Sequence, residues 1–291
     1  VNKVRQKIFW LSLPTTALFI STIALFSYFS EPRHNGRPLS AWLQDYHRSY
    51  HHQAAAEEAV RAIGPNAAPT LVKMLLPFER TFSLARLLKR TSIPIELLED
   101  NSDSMPTYHL AMHGFRILGP AASNAIPLLL PHLENPNTAH IVADAIQTIG
   151  EPALASVQPL LAHTNAVTKC HAVHIILGIT WRDPATVSNL LSSTDHIIRG
   201  ETYLWLNSHY ISPTYLFTNL LHGLEDPHPY VAQRAVIALR SLPLPRATNA
   251  LPYLYAKQST TNALLAQEIT TAIKNIEKRI RIEASSPKVP R

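Results

Sequence analysis

AVRAIGPNAAPTLVKML at 59–75, FRILGPAASNAIPLLLPHL at 115–133 and AIQTIGEPALASVQPLLAH at 145–163 share one order of events. An Ala-rich run ends in Ile-Gly or Leu-Gly, a short turn follows, and Pro then precedes a Leu-rich run. Ala56, Ala59, Val60 and Ile63 fall at helical spacing and predict one apolar stripe. Gly64 stands where a helix ends on a left-handed residue, and Pro65 cannot continue the hydrogen-bond ladder. Pro69 suits the first turn of the next helix, whose apolar face is Leu71, Val72 and Leu75. Gly119 with Pro120 and Pro127, and Gly150 with Pro152 and Pro159, repeat the punctuation. Each copy therefore reads as two helices, and neither buries enough apolar surface alone.

Looser copies follow at 174–193, 203–224 and 236–256. Ile63, Leu118, Ile149, Leu177, Leu206 and Leu239 close successive first helices, at intervals of 55, 31, 28, 29 and 33 residues. The long first interval holds an insertion at 77–105, with a helical stripe through Phe82, Ala85, Arg86 and Lys89 and an acidic run at 99–103. Asn207 and Leu242 replace the turn glycine in the later copies, so those turns need another closure. A repeat of this length predicts stacked helical hairpins with one continuous core, an architecture that serves binding surfaces more often than catalytic pockets.

The copies resemble HEAT repeats, closely so the bacterial form with an IG-x-x-A-x-P-x-L-L turn; the likeness spans roughly 36–280 and includes GRPLSAWLQDY at 36–46. The resemblance implies an all-α fold, a right-handed α-solenoid, and a role in protein–protein interaction or scaffolding. It also implies that the second helices line a concave groove. These fall near 66–76, 121–133, 152–163, 184–193, 213–223 and 246–257. Lys73, His132, His163, Asn189, Asn219 and Tyr253 are polar or amphipathic positions on those Leu-rich helices and are the candidate partner contacts. Some HEAT-like proteins are chromophore lyases, which makes an enzyme the alternative reading, although no motif here carries it over.

Residues 8–30, IFWLSLPTTALFISTIALFSYFS, contain no charge. At about 1.5 Å per residue the run spans roughly 34 Å, enough for a bilayer core. Lys3, Arg5 and Lys7 precede it, which keeps the seven-residue amino-terminal side cytoplasmic. The expected arrangement is an uncleaved single-pass anchor in a bacterial inner membrane, with the repeats on the periplasmic side. A cleaved signal peptide is the rival; Thr22-Ile23-Ala24 is its best site, but the apolar run continues through Phe29. Residues 31–52 then form a juxtamembrane linker and capping helix, 53–282 the repeat domain, and 283–291 a disordered tail.

The net charge of +6 lies at the ends. Residues 1–7 carry three positive charges and 274–291 a net of +4, leaving 17 positive against 18 negative over 8–273. No basic stripe crosses the repeats, so nucleic acid is not an expected partner. The single Cys170 excludes an intramolecular disulfide framework. His47/His51, His109/His113 and Cys170/His174 are each four apart, a spacing two metal ligands can share, but no third ligand completes any pair. Cys170 with His174 is the sharpest nucleophile hypothesis; it lacks a visible orienting group or oxyanion donors, and Cys170 reads as a small residue of a packed helix. No phosphate loop, dinucleotide fingerprint or G-x-S-x-G occurs. No catalytic residue, metal or cofactor is expected. Leu39, Trp42, Leu43 and Tyr46 form an end-capping stripe, and Leu265, Ile269, Ala272, Ile276 and Ile280 form its counterpart.

Overall fold

The computed structural model describes residues 31–48, 50–76, 107–180, 183–208 and 213–285. The 8–30 run, the 77–105 insertion and the 286–291 end lie outside them. Among the described residues no helix is long and apolar enough to cross a membrane. Two compact units divide the chain, the first comprising Val1–Pro131 and Thr148–Pro152, the second His132–Gln147 and Ala153–Arg291.

The first unit opens on a two-residue antiparallel ladder, β1 (Arg33–His34) against β2 (Arg37–Pro38). A wholly helical body had no place for it. Asn35 and Gly36 make the turn with φ of 49° and 76°, the left-handed pair that a two-residue hairpin needs. Helix α1 (Leu39–Arg48) buries Leu39 and Leu43 completely, as its stripe predicts. Trp42 instead stays partly exposed, donates to His34 O at 3.3 Å and lies under the Arg37 guanidinium. Helices α2 (Gln53–Ile63) and α3 (Ala68–Leu75) form the first hairpin; α4 (Thr107–Leu118) packs on both and on α1, and α5 (Ile126–Leu129) lies against α3. Gly64 ends α2 at φ 60° and ψ −142°, so it is not the left-handed helical residue expected but occupies a mirror-extended region open to glycine. Gly119 and Gly150 also have positive φ. Tight 3-10 turns follow the glycines at 64–67 and 119–125, and Asn124 donates to Pro65 O at 2.9 Å to join them.

The second unit contains α6 (Ala139–Ile149) up to Gln147, α7 (Leu154–Val157), α8 (Ala166–Ile179), α9 (Pro184–Leu191), α10 (His196–Ser208), α11 (Pro213–Leu224), α12 (Pro229–Ser241), α13 (Leu244–Lys257) and α14 (Ala263–Ser285). First helices α8, α10, α12 and α14 pack each on the next, while α11 and α13 sit between successive first helices. Close approach is built in by small residues: a Cβ on Gly223 of α11 would lie 2.9 Å from that of Ala235 on α12. Of the expected α14 stripe, Leu265, Ile269, Ala272 and Ile276 are buried and Ile280 only partly so, whereas Lys274, Lys278 and Arg281 face solvent. Helix α14 runs three residues into the stretch read as a disordered tail.

Side chains cap helix starts in the second unit. Asn165, Asp183, Asp195 and Asn262 accept from backbone N–H groups at helix starts, and His228 Nδ1 accepts from Tyr230 N at 3.3 Å. Leu242, at φ −57°, ends α12 without a left-handed residue. Arg279 of α14 reaches over and donates to Arg240 O at 2.7 Å and Leu242 O at 2.8 Å. That satisfies two of the carbonyls a helix end leaves open.

Candidate functional site

In the second unit, polar side chains from four consecutive first helices meet in one continuous network. Gln147 of α6 donates through Nε2 to His174 O of α8 at 3.1 Å. His174 pairs through Nε2 with Glu201 Oε2 of α10 at 3.0 Å. Glu201 Oε1 accepts from the Tyr230 hydroxyl of α12 and forms an ion pair with Arg234 Nη2 at 3.0 Å. Arg234 also donates to the Tyr230 hydroxyl at 2.9 Å, and its guanidinium carbon lies 4.8 Å from the ring centre. Gly200 makes this reach possible: a Cβ there would lie 2.5 Å from the Tyr230 ring.

Glu201 is 2% exposed. Burial alone would raise its pKa, but hydrogen bonds from His174 and Tyr230 and the charge of Arg234 outweigh that and hold the carboxyl below its usual range. The ionised carboxylate can only accept, so His174 presents a protonated Nε2 to it. Burial and the hydrogen bond to Glu201 push the Tyr230 phenol up to about 12. Around the network lie His171, whose ring meets that of His174 edge-on at 6.1 Å, and the stacked rings of His196 and His228 at 3.8 Å. Burial, then His174 and His140, hold His171 below the ordinary histidine value. Asp144 is raised by burial against the pull of His140 and His174, although solvent reaches its side chain.

Cys170 is half-buried beside this network, not sealed in a core. Burial and then the Glu201 charge push its thiol up to about 11. A nucleophilic cysteine needs the opposite shift. His174, its sequence partner, is engaged with Glu201. Among the described residues no group of three or more His, Cys, Asp or Glu is placed to hold a metal ion.

A row of ion pairs between successive first helices flanks the network. Lys169 of α8 pairs with Asp195, and Arg199 of α10 grips Asp226 with two bonds of 2.8 and 3.0 Å. Arg240 of α12 meets Glu268 of α14 at 2.7 Å. The desolvation of Asp195 and Asp226 opposes ionisation, but the bonds from Lys169 and Arg199 prevail and lower both pKa values.

Of the six candidate contact residues, Lys73 lies in the first unit and the other five in the second. Lys73 on α3 and Asn189 on α9 are exposed, and Tyr253 on α13 is 50% exposed. His132 and Asn219 are half-buried with partners of their own. His163 follows the last turn of its copy, accepts from Asn165 N at 3.1 Å, and turns Nε2 toward Glu134 at 3.5 Å. The Glu201 network was missed because its members stand 27 to 29 residues apart. One signal was available: Asn165-x-x-x-Lys169 and Asp195-x-x-x-Arg199 repeat a cap with a basic residue four positions later.

No family model matches the chain, and no curated protein matches it. Among solved structures, human deoxyhypusine hydroxylase in complex with glycerol is similar over 82% of this chain and 95% of its own, at 14% identity and a TM-score of 0.30. At those values the likeness decides neither fold nor function.

Proposed function

We propose that the chain is a protein-interaction module: an α-solenoid of HEAT-like hairpins, held at a bacterial inner membrane by residues 8–30 with its repeats on the periplasmic side. The observation that carries the interaction reading is the continuous network from Gln147 through His174 and Glu201 to Tyr230 and Arg234. It gives the first-helix side of the second unit a fixed polar relief, with His140, Asp144, His171 and His174 reachable from solvent. Preset side chains lower the ordering cost that a partner would otherwise meet. Burial and the Glu201 charge keep the Cys170 thiol protonated, which argues against this cysteine as a nucleophile. The anchor rests on the uncharged 8–30 run and the three positive charges before it.

The second-helix set, Lys73, His132, His163, Asn189, Asn219 and Tyr253, is the competing surface. A photo-crosslinking residue placed in turn at His140, Asp144 and His171, and at Lys73, Asn189 and Tyr253, separates the two in native cells. A specific adduct from the first set alone is the expected outcome. Adducts from the second set alone would move the surface there, and adducts from neither would remove the interaction reading. A carboxy-terminal reporter active only after export is expected to be active; an inactive one inverts the topology.

A further inference from the structure

A second group of titratable side chains lies in the first unit, where α1 meets α4. The rings of Tyr46 and His47, near the end of α1, lie 5.1 and 5.8 Å from the His113 ring of α4, and the two imidazoles are inclined by only 28°. His113 Nδ1 is buried and has no hydrogen-bond partner. The ionisable groups acting on His113 are Arg116 and His109 of its own helix and His47 of α1. None of the charged side chains of α2 (Glu57, Glu58, Arg61) or α3 (Lys73), the other helices packed on α4, is among them, nor is Asp45, which pairs with Arg37, or Arg48 of α1. Every group that acts is thus cationic or becomes so in acid. A proton on His113 would enter a shielded site with no carboxylate to receive it and no acceptor for its Nδ1–H.

We propose that the His113 contact is an acid-sensitive latch: the neutral ring holds α1 on α4, and protonation releases α1 together with the Asn35-Gly36 hairpin. Leu39 and Leu43, fully buried while the latch is closed, then become accessible. The direction follows from proton linkage. Burial first, then Arg116, His47 and His109, hold His113 below the ordinary histidine value. With α1 released the ring titrates near about 6.5, so the released form takes up a proton that the latched form refuses. The contribution of the latch is complete above that value and is lost as pH falls toward the lower value of the latched ring.

Amide-exchange protection factors of residues 39–48 in the full chain, at pH 7.5 and 5.0, test the latch. A several-fold fall is expected in α1, with α12 unchanged. His113→Phe keeps a ring in place without a titrating group and is expected to abolish the fall. Arg116→Gln, on an exposed position, is expected to make it shallower. The same fall in the Phe variant, or none in the parent, overturns the proposal. Should the Phe variant lose α4 protection at pH 7.5, NMR titration of the parent decides. A His113 ring titrating at or above the ordinary histidine value overturns the latch, and one titrating below it supports the latch.

Discussion

The two units terminate their first helices by different means. In the first, Gly64, Gly119 and Gly150 turn the backbone through positive φ, and the closure is local to a few residues. In the second, α6 runs out into Gly150, but α8 and α12 end without such a glycine. Capping side chains start the helices, ion pairs fix one first helix to the next, and Arg279 closes the end of α12 from 37 and 39 residues away. The same hairpin is thus specified once by backbone conformation and once by side-chain chemistry. The first method resists acid and salt but makes any other residue at its turn pay backbone strain. The second tolerates most residues at the turn and depends on charge.

Glu201 is where that contrast breaks most visibly. Glu201→Ala leaves Arg234 without its counter-ion and Tyr230 without an acceptor. A loss of about 3 kcal/mol is expected by urea titration, below the largest values for buried pairs because Arg234 is partly exposed. A loss under about 1 kcal/mol would show that the network does not hold α8, α10 and α12 in register. Acid tests the same region. Glu201, Asp195 and Asp226 have lowered pKa values, so their contribution is present above about pH 4 and is lost as pH falls below it. Exchange protection of α10 and α12 is expected to stay level from pH 7.5 to 5, where the first unit already responds through His113.

Gly64→Val tests the other method. A Cβ at Gly64 would meet nothing within 4 Å, so its whole cost is the backbone strain of φ 60° and ψ −142°. A loss of about 2 kcal/mol is expected, insensitive to salt. An unchanged melting temperature would mean that the turn relaxes to another conformation. Arg279→Met ranks next: two carbonyls of α12 pass to water, and about 1 kcal/mol is expected, with increased exchange confined to the end of α12. The smallest effect is expected for Glu57→Gln. Its pair with Arg61 at 3.4 Å is exposed and worth under about 0.5 kcal/mol; a larger change would show that surface pairs matter in the first unit too.

The glycine-closed turns were legible because each is written in neighbouring residues: Ile-Gly-Pro, Leu-Gly-Pro or Ile-Gly-Glu-Pro fixes where the chain turns. Leu39 with Leu43, and Leu265 through Ile276, were legible for the same reason, as periodic stripes within one helix. Asn35-Gly36 carried a hairpin signal but stood in a stretch read as linker, so β1 and β2 were missed. Glu201, Tyr230 and Arg234 were not legible as a site. Each is an ordinary helix residue until the hairpins stack, and only the stacking brings the 201 carboxylate under a tyrosine 29 residues later. His113 was noticed for its spacing from His109, whereas its structural contact is with His47 of another helix.

The Arg279 contact also sets a schedule. At about 5–20 residues per second, the 39 residues between Arg240 and Arg279 take about 2 to 8 s to synthesise. Throughout that interval the end of α12 is made but unfinished, whereas Gly64 closes its own turn as soon as it emerges. A nascent chain therefore carries one early-setting end and one that waits for a residue made much later, and a chain interrupted before 279 leaves the end of α12 open to whatever chaperone or protease meets it first.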